Sequence, residues 1–507
     1  MKKGAILFVF MLFSIFHFGQ THSLLKDIGA GEEHGLPSRN QATDWNGKSY
    51  FISYDNESFN NQIWSTDGTS ANTVRVLTAN YPDIEFITSV DNYLIFNGWS
   101  ENGRGIFRSN GTQGGTEVIM EFPSQEIVLM QKLNGSKVVF VTENFVTEST
   151  HLWVTDGTTN GTINLGQFEL KADFTTFSYF NSSIIFTEKS TNSNIFPPVI
   201  TDGTIEGTML VTDFINASIT DDIDNVNSAV GTTDVLFVNT ETGGKVFNGT
   251  SVENFNVTGD YIHGFKLDHL HILFTSLDIA VYNSLTGFGT ELALEPYYFS
   301  EPISDAGNVY FHGDDGYVYR TNGTQSGTKK ISSTTIGATN YDPYLFASED
   351  IVLYSTDQGN DTELWIVHLE SELDSVFNTI KPSWGFIIEP YAFLAGGNIV
   401  YGRYTQTDGR EYWVYNQLPT GVKDLPESHS ITLSPNPVED EVIITFGEEL
   451  PANTSLSIYN AAGQILWHSP VSKDKQVVDI TGFSSGQYFI HIRTDEGNQY
   501  GGSFVKR

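Results

Sequence analysis

The stretch "LWVTDGTTNGTINL", residues 152–165, decides the fold, because the chain spells nearly the same thing four more times. The shared core is [D/N]-G-T-x-x-[G/N]-T. Its five copies start at Asp67, Asn110, Asp156, Asp202 and Asn322 and end at Thr73, Thr116, Thr162, Thr208 and Thr328. Each copy lies between two short apolar runs, such as "LWV" and "INL", and so reads as a turn joining two strands. Asp or Asn hydrogen-bonds the backbone two residues on. The next residue, Gly68, Gly111, Gly157, Gly203 or Gly323, supplies a left-handed conformation. Threonine hydroxyls tie down remaining amides. A calcium reading is weaker: oxygen ligands are not spaced along the loop as such sites need, and Asn replaces Asp in two of the five copies.

A strand with an aromatic at a fixed place keeps the same beat: "SYFI", "YLIF", "KVVF", "SIIF", "DVLF", "HILF", "NVYF", "IVLY", "NIVY". The aromatics are Phe51, Phe96, Phe140, Phe186, Phe237, Phe274, Phe311, Tyr354 and Tyr401. Eight intervals cover 350 residues, close to 44 each. A strand and a tight turn precede each aromatic strand, with Asn134-Gly135, Asn181-Ser182 or Gly396-Gly397 accepting the positive φ of hairpins. The third strand often carries Trp (Trp64, Trp153, Trp365, Trp413), and the motif turn leads to a fourth. Four strands per repeat predict an all-β chain. We expect a β-propeller of eight or nine four-stranded blades over 21–425, followed by a small Ig-like β-sandwich over 426–507. The motif weakens over 240–300, and two smaller propellers are the alternative. "SLLKDIG" at 23–29 looks like a stray fourth strand that pairs with the last blade and closes the ring. The units resemble the "ELWxxDGTxxGT" repeats of large secreted proteins from Bacteroidetes-type bacteria. That resemblance implies a fold and a habitat but no reaction.

Aromatics make up 13% of the chain and charged residues 17%, with a formal charge of −35. Such a surface repels phosphate backbones, so no nucleic acid partner is expected, while calcium or basic partners would be tolerated. No cysteine is present, which excludes thiolate chemistry, disulfides, Cys-ligated zinc and a lipidated N-terminal Cys. Lys2 and Lys3 precede a mostly apolar run over 5–18, too short to span a bilayer comfortably. Residues 1–20 therefore read as a signal peptide, and no later segment reads as a transmembrane helix.

The period stops before 430. From there to the last residue, apolar strands alternate with Pro, Gly and Asn turns. Pro435-Asn436-Pro437, Tyr459-Asn460 with Gly463, Phe483 with Gly486 and Tyr488, and the terminal Lys506-Arg507 come in one order. In that order they resemble the type A C-terminal sorting domain of type IX secretion cargo. The resemblance implies two-step export, with the type IX machinery as partner. In that family the module is commonly cleaved, and cargo is released or attached to surface lipopolysaccharide.

Candidate chemistry is sparse. His269 and His271 alternate beside Asp268, so one strand face would present both to a metal, with His263 as a third ligand from across the sheet. Asp222 and Asp224 have calcium-like spacing but lack the Gly and distal Glu of the helical loop pattern. Both pairs are weak metal candidates. No cofactor is expected beyond the calcium that the acidic composition leaves open. No nucleophile elbow, zincin or phosphate-loop pattern occurs in a suitable context. The expectation is a secreted or surface-held, non-enzymatic binding or adhesion protein with a glycan or protein ligand. The alternatives are an extracellular polysaccharide-degrading enzyme with its site in the propeller channel, and a purely structural role in a surface layer.

Overall fold

The computed structural model describes residues 21–507 other than 30–40, 56–59, 78–83, 171–174, 189–195, 221, 256, 258–259, 276–277, 295, 297–300, 337–343, 349–350, 358–361, 370–372, 381–390, 406–408, 417–430, 436, 447–453, 461–464, 472–474 and 494–498. The expected signal peptide, residues 1–20, lies outside the described residues. The chain forms two compact units, Ser23–Val414 and one containing Tyr415–Arg507.

The larger unit is propeller-like. Its described strands form antiparallel quartets in chain order: 42–75, 87–122, 125–167, 175–210, 226–254, 261–292, 303–330 and 345–380, here the first to eighth sheets. A ninth is built from Ala392–Ala395, Asn398–Thr405 and Gly409–Asn416, and its fourth place is taken by Thr21–Leu24 from the start of the chain. Leu25 donates its N–H to the Tyr412 carbonyl at 2.9 Å. The sequence placed this fourth strand over 23–29; the paired strand is Thr21–Leu24, and Leu25 and Gly29 beyond it add hydrogen bonds to Tyr412 and Glu411.

Hairpin chemistry sets the first turn of several sheets. Asn46-Gly47, Ala306-Gly307 and Gly396-Gly397 take positive φ at both positions, the form whose twist matches the flanking strands. Asn134-Gly135 differs. Neither residue has positive φ; instead the Asn134 Oδ1 accepts from the Ser136 N–H at 2.9 Å, a side-chain turn that replaces the backbone one.

The periodic aromatics all fall on second strands, and each is at most 2% exposed. They fill the spaces between sheets. Phe96 packs with Ile52 and Ile63 of the first sheet. Phe140 packs with Ile95 and Ile106 of the second, and Phe186 with Leu152 and Val154 of the third. Later sheets continue the series through Leu236, Leu273, Phe311 and Tyr354. Phe377 of the eighth sheet stands 4.7 Å, ring to ring, from Tyr401 of the ninth. The circuit returns to its start: Phe51 of the first sheet meets Tyr412 of the ninth at 4.8 Å, and the Tyr412 hydroxyl donates to the Ile52 carbonyl at 2.9 Å. The third-strand tryptophans lie directly opposite these aromatics, as in Phe51–Trp64, Phe140–Trp153 and Tyr354–Trp365.

Phe140 is held edge-on by Phe122 at 5.8 Å and stacked on Trp153 at 6.1 Å. Phe140→Ala leaves a cavity that two sheets cannot both collapse into. It is expected to lower the unfolding free energy by about 3–5 kcal/mol in chemical denaturation. Val118→Ala, on the exposed outer strand of the second sheet, is expected to change it by less than about 0.5 kcal/mol.

The smaller unit has two sheets, one of Ile431–Ser434, Glu441–Phe446 and Lys475–Asp479, the other of Ile465–Val471, Thr454–Asn460, Gly486–Arg493 and Gln499–Lys506. Val442, Ile444 and Val478 of the first and Leu456, Ile458, Ile490 and Phe504 of the second share one core.

Candidate functional site

The five motif turns join third to fourth strands and are built alike. In each, the hydroxyl before the motif (Thr66, Ser109, Thr155, Thr201 or Thr321) meets that of the closing threonine at 2.6–2.8 Å. The same hydroxyl accepts from the motif glycine N–H at 2.9–3.1 Å. The Asp or Asn Oδ1 accepts from both the N–H and the hydroxyl of the threonine two residues on. Burial works against the ionised Asp67, but its bonds to Thr69 and Asn72 hold the carboxyl below its ordinary pKa.

Glycine is required twice here. Gly68, Gly111, Gly157, Gly203 and Gly323 have φ between +79° and +86°, and they abut the preceding sheet. A Cβ on Gly68 would lie 2.4 Å from the Ala395 carbonyl oxygen of the ninth sheet, and one on Gly323 would lie 2.9 Å from Leu270 of the sixth. The later glycines, such as Gly161 and Gly207, leave room for the Asp side chain, which a Cβ would approach to 2.1 Å. Arg108 and Lys137 of the preceding sheets also donate to the carbonyls of Gly157 and Gly203, at 2.8 and 3.2 Å. The carboxylates are thus turned inward on threonine, and the corners fasten sheet to sheet.

The metal candidates are placed apart. Asp222 and Asp224 are exposed in the connection between the fourth and fifth sheets. His269 falls in the hairpin turn with Asp268, which has φ +55°, so it does not share a strand face with His271; its Nδ1 lies 2.7 Å from the Asp268 Oδ2. His271 is fully buried, with Nδ1 2.6 Å from the Thr232 hydroxyl. His263 stands opposite Phe274, whereas Lys266 stands opposite His271. Among the described residues no group of three His, Asp or Glu side chains could hold a metal ion.

A cavity of about 470 Å³ opens where four first strands converge. Its lining includes Thr176–Tyr179 of the fourth sheet, Gly231–Thr233 of the fifth, His263–Lys266 of the sixth and Glu301–Ser304 before and within the seventh. Here the fourth and fifth sheets fuse through parallel pairing of their first strands, Tyr179 with Thr232 and Phe180 with Thr233. Glycine permits the approach: a Cβ on Gly231 would lie 2.3 Å from the Tyr179 carbonyl oxygen, and one on Gly264 would lie 2.3 Å from Val230. The Gly231 N–H donates to the Ser178 hydroxyl at 2.9 Å. Tyr179 is pinned at its hydroxyl, which donates to the Lys132 carbonyl at 2.6 Å and accepts from the Gln131 amide at 2.9 Å. Phe177 stands edge-to-face on Tyr179 at 6.2 Å and remains 43% exposed. Lys266 is ion-paired with Asp234 at 2.7 Å. Burial opposes the charge on Asp234, but Lys266 outweighs it and the pKa stays low. Sequence reading missed this site. Its lining comes from four sheets, and the one local signal was a glycine inside each of two strands, at Gly231 and Gly264.

In the smaller unit, Tyr488 stacks on Phe504 at 5.4 Å and donates to the Ser484 carbonyl at 2.6 Å. Phe483 packs on the same ring at 5.1 Å. Gly486 opens the strand carrying Tyr488, and Pro435 and Pro437 are exposed. Asn436 and Gly463 lie outside the described residues. Lys506 is 8% exposed, and its ammonium donates to the carbonyls of Ile480 and Thr481 at 2.5 and 3.4 Å. Lys506→Met leaves both carbonyls without that donor. It is expected to cost about 1–3 kcal/mol of local stability, read as faster amide exchange over 475–506.

Residues 432–506 match the family described as a secretion system C-terminal sorting domain. Such a type IX sorting tail implies handling by that secretion machinery and a cell-surface or secreted destination. No helix among the described residues is long and apolar enough to cross a membrane. No curated protein sequence matches the chain. Similar solved structures include PorZ, a surface component of the type-IX secretion system of Porphyromonas gingivalis, at 11% identity over 92% of this chain and 81% of that one, TM-score 0.26. A puromycin hydrolase is similar at 8% identity over 73% and 58%, TM-score 0.39. Sqt1 of Saccharomyces cerevisiae is similar at 11% identity over 71% and 99%, TM-score 0.35. At these scores the likenesses bear on neither fold detail nor function.

Proposed function

We propose that this is a secreted or surface-held binding protein, delivered by the type IX machinery, whose larger unit is a nine-bladed ring presenting a glycan- or protein-binding site. Nine strand quartets and the return contact between Phe51 and Tyr412 support the ring. The cavity at the converging first strands carries the binding reading, since concave sites with a few placed polar groups are where ligands are held. Its described lining offers one carboxylate, Glu301, whereas glycoside hydrolysis ordinarily needs two facing each other across the sugar.

The test exposes the exported protein to a glycan array and a surface-protein pull-down, with a polysaccharide hydrolysis panel in parallel. Retention of a ligand without product release is the expected result. Product release would replace this reading with the enzyme one, and no ligand in either binding assay would remove it.

A further inference from the structure

The chemistry of the cavity narrows its ligand. The periodic aromatics on second strands are buried, whereas Phe177, on a first strand, turns a 43% exposed face into the cavity. It is not loose. Tyr179 holds its edge at 6.2 Å, and Tyr179 is itself fixed by hydrogen bonds to Gln131 and Lys132. An exposed aromatic face held in place is a stacking platform whose ordering cost is met before any ligand arrives.

Three ligand classes can be compared with this platform. An extended peptide adds to a free strand edge, and two of the four first strands here have lost theirs: the fourth and fifth sheets pair with each other, and the Gly231 N–H is taken by Ser178, which leaves only the short edges of the sixth and seventh sheets. A polyanion needs excess positive charge, yet Lys266 is neutralised by Asp234, Glu301 adds a negative group, and the whole chain carries −35. A neutral saccharide needs an aromatic face for its C–H surface and a mixture of donors and acceptors for its hydroxyls. Phe177 supplies the first; Thr233, Ser304, Lys266 and Glu301 supply the second.

We infer that the cavity binds a neutral oligosaccharide, with one sugar ring stacked on Phe177. This rests on the proposed role as a binding protein. The exported full chain is tested against neutral oligosaccharides, acidic oligosaccharides and peptides, beside Phe177→Ala and a control, Phe288→Ala, which is 75% exposed on the fourth strand of the sixth sheet. The expected result is binding of neutral oligosaccharides that weakens about tenfold in Phe177→Ala, with unchanged melting, and is unaltered in Phe288→Ala. Neutral saccharide binding indifferent to Phe177→Ala would place the ligand elsewhere and overturn the inference. Binding confined to peptides or to acidic oligosaccharides would overturn the saccharide class while leaving a binding protein. Silence from every probe would overturn the saccharide inference and leave the broader reading to the surface-protein pull-down.

Discussion

Deleting residues 21–29 is expected to destabilise the larger unit by about 5 kcal/mol or more, beyond any single core substitution. The segment is short, but its contacts are not local. Leu25 is fully buried in a core shared with Phe51, Phe393 and Tyr412. Truncating such a leucine alone costs about 2–5 kcal/mol. The Leu25 N–H bonds the Tyr412 carbonyl, and the Gly29 N–H donates at 2.5 Å to the carboxylate of Glu411, which is itself fully buried. Removing a donor from a buried carboxylate adds about 1–3 kcal/mol. The deletion also bares the edge of Gly409–Asn416, a template for pairing with another chain. The measurements are denaturant unfolding and light scattering of the truncated chain. A midpoint and solubility like those of the parent would show that the ninth sheet does not depend on its fourth strand.

Acidification is the second large effect. Burial pushes the His271 imidazole down to about 4, with Asp234 pulling it up and Lys266 pushing it down; burial pushes His312 to about 3. Both side chains are fully buried. Their folded pKa values lie below the unfolded value, so the unfolded chain binds more protons in acid. The stability each contributes is complete above about pH 6.5 and is lost as pH falls towards its folded pKa. Each pH unit in that window costs about 1.4 kcal/mol per histidine, so the pair removes about 5 kcal/mol between pH 7 and pH 4.5. Carboxylates with depressed pKa values, Asp234 among them, keep their charge through that window and do not contribute to the slope. Unfolding free energies measured from pH 7 to 4.5 should fall along this curve, and His312→Gln should flatten it by about half. A flat profile in the parent would mean that these imidazoles titrate in the folded chain as they do in the unfolded one.

The strand repeat was legible because its cause is local and periodic. An aromatic that must fill the gap between two sheets recurs once per sheet, from Phe51 to Tyr401. The corner was legible in part. The Asp-to-Thr bonds follow from residue types two apart, but the hydroxyl pair seven apart, Thr155 with Thr162, and the close packing of Gly68 against Ala395 belong to the folded arrangement. The fusion of the fourth and fifth sheets left almost no trace. Tyr179 and Thr232 pair across 53 residues, and only the lack of side chains at Gly231 and Gly264 hints at it. His271 shows the opposite error: its alternation with His269 read as a shared face, but the strand begins at Leu270 and leaves His269 in the turn. The tail was readable because its signals, from Pro435 to Lys506, are concentrated in one short module, and Lys506 also holds that module's own carbonyls.

The central claim is that sheets laid out in order along the chain close on themselves through the first described strand, Thr21–Leu24. Hydrogen exchange on the intact protein tests it without a substitution. The amides of Leu25 and Gly29, which bond Tyr412 and Glu411, should exchange as slowly as those of Asn398–Thr405 in the same sheet, because opening one requires opening the other. Exchange of these two amides at the rate of a free tail, beside a protected ninth sheet, would contradict the closed circuit.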